Sequence, residues 1–340
     1  MNVIGLGEVL WRISPPEHLM FSQTTQLQSQ FGGAELNVLG GLASLGYKTE
    51  FITVLPYNSV GQACQKFIQK HGIGCRYLLH QEGRLGLYFY ERGFGVRRSR
   101  ITYDRSGSAF SQSNFEQYDW ETIFKEVDWF HVSGITAALS PTCYDLTLKA
   151  MKTAKNLGIG ISFDLNYREQ LWPSFEEARQ GLTPLVELAD ICIGLEPISL
   201  PDQAGHDVKD NLGLTRPYQD LDLVARVANQ LVERYQLKAL AFTQRELINN
   251  CYHLKGFLYQ NGQLLQTPLE ETVAIDRVGT GDAFTTGIIF GHLDGRKEQY
   301  LLDTAMACFL YKHSVEGDIN LLGRQELEGL LSHPQQEIIR

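Results

Sequence analysis

No apolar run in the 340-residue sequence approaches the roughly 18 residues that a membrane-spanning helix needs. The opening segment, Met1 to Glu8, has no basic stretch ahead of an apolar one, so no secretory leader is expected. Positive charge is also short, with 30 Lys and Arg against 39 Asp and Glu and a formal charge of −9. That balance argues against nucleic acid or an anionic membrane as the main partner. The six cysteines (Cys64, Cys75, Cys143, Cys192, Cys251 and Cys308) include no Cys-x-x-Cys pair, and several lie in apolar stretches. They suit reduced core thiols better than disulfides or zinc ligands. The nine histidines form no His-x-x-x-His pairing, so no resident metal ligand set is expected. These absences together describe a soluble cytoplasmic protein.

The sequence is rich in core material, at 43% hydrophobic residues. Short apolar runs alternate with helical patterns, the signature of a parallel sheet covered by helices. Strands are expected at Val3 to Gly7, Glu50 to Leu55, Trp129 to Ser133, Gly160 to Leu165 and Asp190 to Ile193. Helices are expected at Ala34 to Leu45 and Gln62 to His71, and from Ser140, an N-cap followed by Pro141. Ser174 to Glu177 reads as a capping box opening another helix, and the pattern continues to helices around Glu298 to Lys312 and Arg324 to Leu331.

Two stretches interrupt the alternation. Residues 11–31 are polar and irregular, whereas 86–106 alternate strictly around a Gly-rich turn and predict an antiparallel hairpin. Together, as residues 11–31 and 86–107, they predict a small β-sheet lid inserted in one α/β domain spanning 1–340.

Three segments suit chemistry. Asp276-Arg277-Val278-Gly279-Thr280-Gly281-Asp282 precedes a helical run. Its glycines let free amides and the helix dipole converge on an anion. Asp282 places a carboxylate in that field, which suits a general base beside a phosphoryl group, although Asp in a first helical turn is also common. Gly32-Gly33-Ala34-Glu35-Leu36-Asn37 opens another helix and permits close approach of a ligand, or serves as a plain tight turn. Gly5-Leu6-Gly7 lacks the third glycine of a dinucleotide fingerprint, because Leu10 stands there. On the hairpin, Arg92, Arg97, Arg98, Arg100 and Arg105 interleave with Tyr88, Tyr90 and Tyr103. Counting by two puts Ile101, Tyr103 and Arg105 on one face. Asn166-Tyr167-Arg168 sits at the carboxyl end of a strand, where open α/β sheets bind ligands, and an arginine held in a structural ion pair fits there equally.

These motifs resemble the ribokinase-like family of sugar kinases, and within it the 2-keto-3-deoxygluconate kinases. The resemblance rests on the Gly-Thr-Gly-Asp segment, Gly32-Gly33-Ala34-Glu35-x-Asn37, Val132-Ser133-Gly134-Ile135-Thr136 and Asp164-Leu165-Asn166-Tyr167-Arg168 with Leu171-Trp172. Lys312-His313 with Gly317-Asp318 completes it, so it runs over nearly the whole chain. It implies a Rossmann-like core with a lid and an ATP-dependent, magnesium-assisted kinase that phosphorylates 2-keto-3-deoxygluconate, with pairing of two copies through the lid. By the same resemblance Asp282 is the base and Gly279, Thr280 and Gly281 form the anion hole. Gly33, Asn37, Tyr88, Tyr103, Arg105 and Arg168 hold the sugar acid. Asn166, Thr243, Arg245, Gly279 and Gly281 contact the nucleotide.

Two departures from the family pattern stand out. The usual Asn-x-x-Glu is replaced within Asp190 to Ile198 (DICIGLEPI), where Leu195 and Ile198 take the expected places and Glu196 is retained. The nucleotide loop, usually Gly-rich, reads Thr243-Gln244-Arg245-Glu246-Leu247-Ile248. A fructokinase or other hexose kinase is the alternative within the class, and a sugar-acid or nucleotide sensor without catalysis is the alternative outside it.

Overall fold

The computed structural model describes residues 1–332 apart from 114, 115 and 117, so the last eight positions of the expected domain lie outside the described residues. An 11-stranded sheet forms the centre. Along it, Ile73–Gly74, Lys48–Pro56, Asn2–Leu6, Trp129–Ser133, Gly160–Asp164, Ile191–Ile193 and Ala239–Ile248 run parallel. Beyond them, Cys251–Gln260 and Gln263–Gln266 return antiparallel, where the βα alternation was expected to continue. A tight turn at Asn249 and Asn250, both at positive φ, reverses the chain there, leaving no length for a crossover helix.

The parallel strands alternate between two apolar layers. Phe130, Phe163, Cys192 and Leu240 face one layer, while Val3, Trp129, Ile191 and Ala239 face the other. Fully burying each large side chain contributes roughly 1.5–3 kcal/mol. The helices Pro141–Asn156, Phe175–Val186 and Leu221–Tyr235 cover the first face, and Ala34–Ser44, Thr280–Leu293 and Glu298–His313 cover the second. Ser140 caps its helix by accepting from Cys143 N at 3.1 Å. Ser174 likewise accepts from Glu177 N at 3.1 Å, the serine half of the expected capping box. Among the described residues, no helix is long and apolar enough to cross a membrane.

Thr280–Leu293 is buried along most of its length and comes unusually close to its neighbour. A Cβ at Gly287 would lie 2.4 Å from Ala305 Cα, so only glycine permits this spacing against Glu298–His313.

A second sheet of four strands runs Gln28–Gly32, Leu10–Ser14, Gly86–Glu91, Arg100–Asp104. The hairpin formed by its last two strands matches the expectation. Residues 11–31, however, contribute two strands rather than irregular chain. The reason lies at Arg12, which occupies an inward position and is fully buried between Asp276 (2.7 Å) and Asp318 (2.8 Å). An inward-facing arginine breaks the apolar alternation by which a strand is recognised. Arg12 also ties this sheet to the segment leading into Thr280–Leu293.

Candidate active site

The carboxyl ends of Gly160–Asp164, Ile191–Ile193 and Ala239–Ile248 face the four-stranded sheet across a cleft of about 710 Å³. The amino ends of Ala34–Ser44 and Thr280–Leu293 open into the same space. The site residues assigned by the resemblance line this cleft: Gly33, Asn37, Tyr88, Tyr103, Arg105, Asn166, Arg168, Thr243, Arg245, Gly279, Thr280, Gly281 and Asp282; of the hairpin cluster, Tyr90, Arg92, Arg97, Arg98 and Arg100 are not in its lining.

The segment before Asp282 is fixed from both sides. Val278 N donates to Asp276 Oδ1 at 3.1 Å, and Thr280 Oγ1 donates to the Arg277 carbonyl at 3.0 Å. Gly279 caps the helix at φ 77°, and a Cβ there would meet the Asp318 carbonyl oxygen at 1.9 Å. Glycine is therefore required by both conformation and space. Apart from Thr280 N, which reaches the Arg277 carbonyl at 3.4 Å, the amides at this helix start have no intrahelical partner, and they border the cleft with the positive end of the dipole.

Asp282 accepts a hydrogen bond from Asn37 Nδ2 at 2.6 Å. Its pKa is pushed up to about 7, chiefly by burial, with the nearby Asp164 adding to the rise while Asn37 and Arg168 oppose it. Asp164 itself is raised to about 6 by burial. It accepts from Thr285 Oγ1 at 3.0 Å, one turn beyond Asp282, and from Asn166 N at 2.9 Å. That second bond helps hold Asn166 at φ 39°, a left-handed conformation that asparagine tolerates. A carboxylate with a pKa near 7 at the foot of an anion-attracting helix is suited to taking a proton.

Near the four-stranded sheet, the Tyr88 hydroxyl donates to Asp318 Oδ2, and Tyr103 stays 38% exposed toward the cleft side of its strand. Arg105 does not stand free. Its Nε donates to Glu8 Oε2 at 2.8 Å and its Nη2 at 2.5 Å, while Ser108 donates to the other Glu8 oxygen. Arg168 is exposed and folds back on the Tyr167 carbonyl at 3.0 Å, without a carboxylate partner within 4.0 Å among the described residues.

On the opposite wall, Thr243 and Arg245 belong to the strand Ala239–Ile248, not to a loop; Thr243 pairs with Gly256 and Arg245 with Leu254. Strand periodicity places both side chains on one face, so the cleft contacts survive the correction. Glu196 also lines the cleft, its carboxylate 3.4 Å from Arg179 and 3.7 Å from Lys209. No group of three or more His, Cys, Asp or Glu able to hold a metal occurs among the described residues.

Glu8, Asp164, Asp318, Arg216 and Arg277 line the cleft too and were not singled out as site residues. Asp164 was readable, since it precedes Asn166 at the end of its strand. Arg277 sat inside the strongest motif. Glu8 and Asp318 gain their meaning only from partners distant in sequence, Arg105 and Arg12, whereas Arg216 bonds locally to the Tyr218 hydroxyl at 3.1 Å and no motif marked it.

The model of the pfkB family of carbohydrate kinases matches residues 3–309. Among solved structures, the chain is similar to the 2-dehydro-3-deoxygluconokinase of Thermotoga maritima, with 34% identity, a TM-score of 0.88 and 98% of both chains covered. It is 27% identical over 331 residues to the 2-dehydro-3-deoxygalactonokinase of Haloferax volcanii, covering 97% of this chain and 96% of that one. It is 25% identical over 337 residues to the 2-dehydro-3-deoxygluconokinase of Bacillus subtilis, covering 98% and 96%. With both the family match and the near-complete overlap in hand, the chain belongs to the pfkB family of carbohydrate kinases.

Proposed function

We propose that the protein transfers the γ-phosphoryl group of ATP to the terminal hydroxyl of 2-keto-3-deoxygluconate. The observation that carries this reading is Asp282, held by Asn37 at 2.6 Å, with a pKa near 7 beside the helix-terminal amides. Ionised Asp282 accepts the hydroxyl proton as the sugar oxygen attacks the γ-phosphorus. The new O–P bond forms while the bond to the β,γ-bridging oxygen breaks, and its electron pair departs with ADP. Amides of Gly279 and Gly281 stabilise the charge on the transferring group. Gly33, Asn37, Tyr88 and Tyr103 seat the sugar, Arg168 takes its carboxylate with Arg105 alongside, and Asn166, Thr243 and Arg245 border the nucleotide phosphates.

Magnesium, when bound with the nucleotide, neutralises and orients the phosphate oxygens. The residues present fit it modestly. Glu196 offers a partly open carboxylate in the cleft, and the nucleotide and water would supply the other oxygens. We read the chain as one kinase unit with the lid inserted at 11–31 and 86–107. Pairing of two copies through the lid belongs to the same reading.

One observation favours a second reading. Glu8 neutralises Arg105, leaving Arg168 as the one cation of that pair without a carboxylate partner, and a neutral sugar such as fructose tolerates this better. Coupled ADP release over a panel of sugar acids and hexoses decides between them. The acid reading expects a preference of at least about tenfold in kcat/KM, or roughly 1.4 kcal/mol. Equal or better turnover of fructose would establish the hexokinase-type reading.

A further inference from the structure

Many arginines are matched by carboxylates: Arg12 by Asp276 and Asp318, Arg105 by Glu8, Arg179 by Asp210, Arg296 by Glu328 and Arg324 by Asp294; Arg76, Arg97, Arg98, Arg100, Arg226 and Arg234 are not, but they are spread over separate parts of the surface. The cleft gathers four unmatched ones in one place. Arg168, Arg216, Arg245 and Arg277 all line it, and among the described residues none has a carboxylate within 4.0 Å. This concentration of unmatched positive charge occurs in a chain with a formal charge of −9. Like charges held together without counter-charge are costly in the empty protein, and a bound polyanion removes that cost.

Within the four, Arg168 acts on Asp282, while Arg277 belongs to the loop that leads into its helix and Arg245 to the strand that carries Thr243. Arg277 lies between Asp276, which anchors the loop, and Thr280, whose hydroxyl and amide both bond back to the Arg277 carbonyl at 3.0 and 3.4 Å. Its backbone is thus part of the anion loop. Arg245 lies two residues beyond Thr243 on the same face of a strand that borders the nucleotide side. Arg245 is exposed to solvent along its strand; partial desolvation against the cleft wall, and then the nearby Arg277, Arg168 and Arg216, hold its pKa below the ordinary value. Both residues line the same cleft, Arg245 from the strand wall and Arg277 from the loop ahead of Thr280–Leu293.

We propose that Arg277 and Arg245 clamp the γ-phosphoryl group during its transfer, with Arg277 as a further catalytic residue. This rests on the kinase reading above. In the step, the γ-phosphorus leaves the β,γ-bridging oxygen and joins the sugar oxygen, the proton passes to Asp282, and the two guanidinium forks follow the equatorial oxygens. Planar, permanently charged forks suit three oxygens sharing charge better than an ammonium does.

The test uses the full chain carrying Arg277→Gln, Arg277→Lys or Arg245→Gln. It measures kcat with 2-keto-3-deoxygluconate and fructose, Kd for ATP and ADP by calorimetry, and thermal unfolding. Arg277→Gln should lower kcat by about 10²–10³-fold. ATP binding should weaken at least about fivefold while ADP binding and Tm stay near wild type, since only ATP carries the γ-phosphate. Arg277→Lys should recover part of kcat, as charge without the fork. A kcat within threefold of wild type in Arg277→Gln, or equal weakening of ATP and ADP, would overturn the clamp while leaving the kinase reading standing. Absence of ADP release by the wild type with both sugars would overturn the kinase reading and the clamp with it.

Discussion

Asn37 and Asp282, 245 positions apart, meet through a hydrogen bond of 2.6 Å that joins the first turns of Ala34–Ser44 and Thr280–Leu293. Two helix starts that read as separate glycine-rich motifs are therefore one site. The asparagine orients the carboxylate and partly offsets the rise in its pKa.

Asp282→Asn keeps the shape and the Asn37 contact but removes the base. Steady-state assays should find kcat lowered by about 10²–10⁴-fold with the far-ultraviolet circular dichroism unchanged. Retention of more than about a tenth of wild-type kcat would mean that another group takes the proton.

The pH profile follows from the same carboxylate. Because Asp282 works ionised and its pKa is about 7, kcat/KM should rise through an apparent pKa near that value. Asn37→Ala removes a bond that favours the charged form, so the acid limb should move upward. A limb near 4 in the wild type would contradict the placement of the base.

Stability should show the opposite trend. Asp164 and Asp282 have folded pKa values of about 6 and about 7, above those of an unfolded aspartate. The folded chain binds more protons, so their contribution is present below about pH 4 and is lost as pH rises through 6 and 7. Asp164→Asn should accordingly raise Tm at pH 8, by roughly 1–3 °C, and have little effect at pH 4. Differential scanning calorimetry at the two pH values checks this.

Gly279→Ala combines positive φ with a 1.9 Å clash against the Asp318 carbonyl. Denaturant unfolding should show a loss of about 2–4 kcal/mol, accompanied by loss of turnover as the loop shifts.

Glu8→Gln releases Arg105 from its ion pair without removing the Ser108 contact. The preference for the sugar acid over fructose should increase by about threefold or more in kcat/KM, while Arg168→Ala should reduce it. An unchanged ratio in both variants would show that neither arginine reads the carboxylate.

The sequence carried the parallel sheet, most helix limits, the lid hairpin and the Gly33, Asn37, Gly279, Thr280, Gly281 and Asp282 positions of the two glycine motifs, because each has a local signature in periodicity or capping. It hid what depends on distant partners. Arg12 made a buried strand look irregular, since its counter-charges Asp276 and Asp318 come from the other end of the chain. Thr243 to Ile248 read as a loop, although pairing with Cys251 to Gly256 makes it a strand. Arg105 looked available until Glu8 was placed beside it.

The central claim is transfer of phosphate to a primary hydroxyl of a sugar acid, and phosphorus NMR of the wild type with ATP, magnesium and 2-keto-3-deoxygluconate tests it directly. The expected result is loss of the γ-phosphate signal, appearance of ADP, and one phosphomonoester resonance split into a triplet by the two protons of its CH₂–O group. Unchanged ATP, or inorganic phosphate as the only new resonance besides ADP, would contradict it.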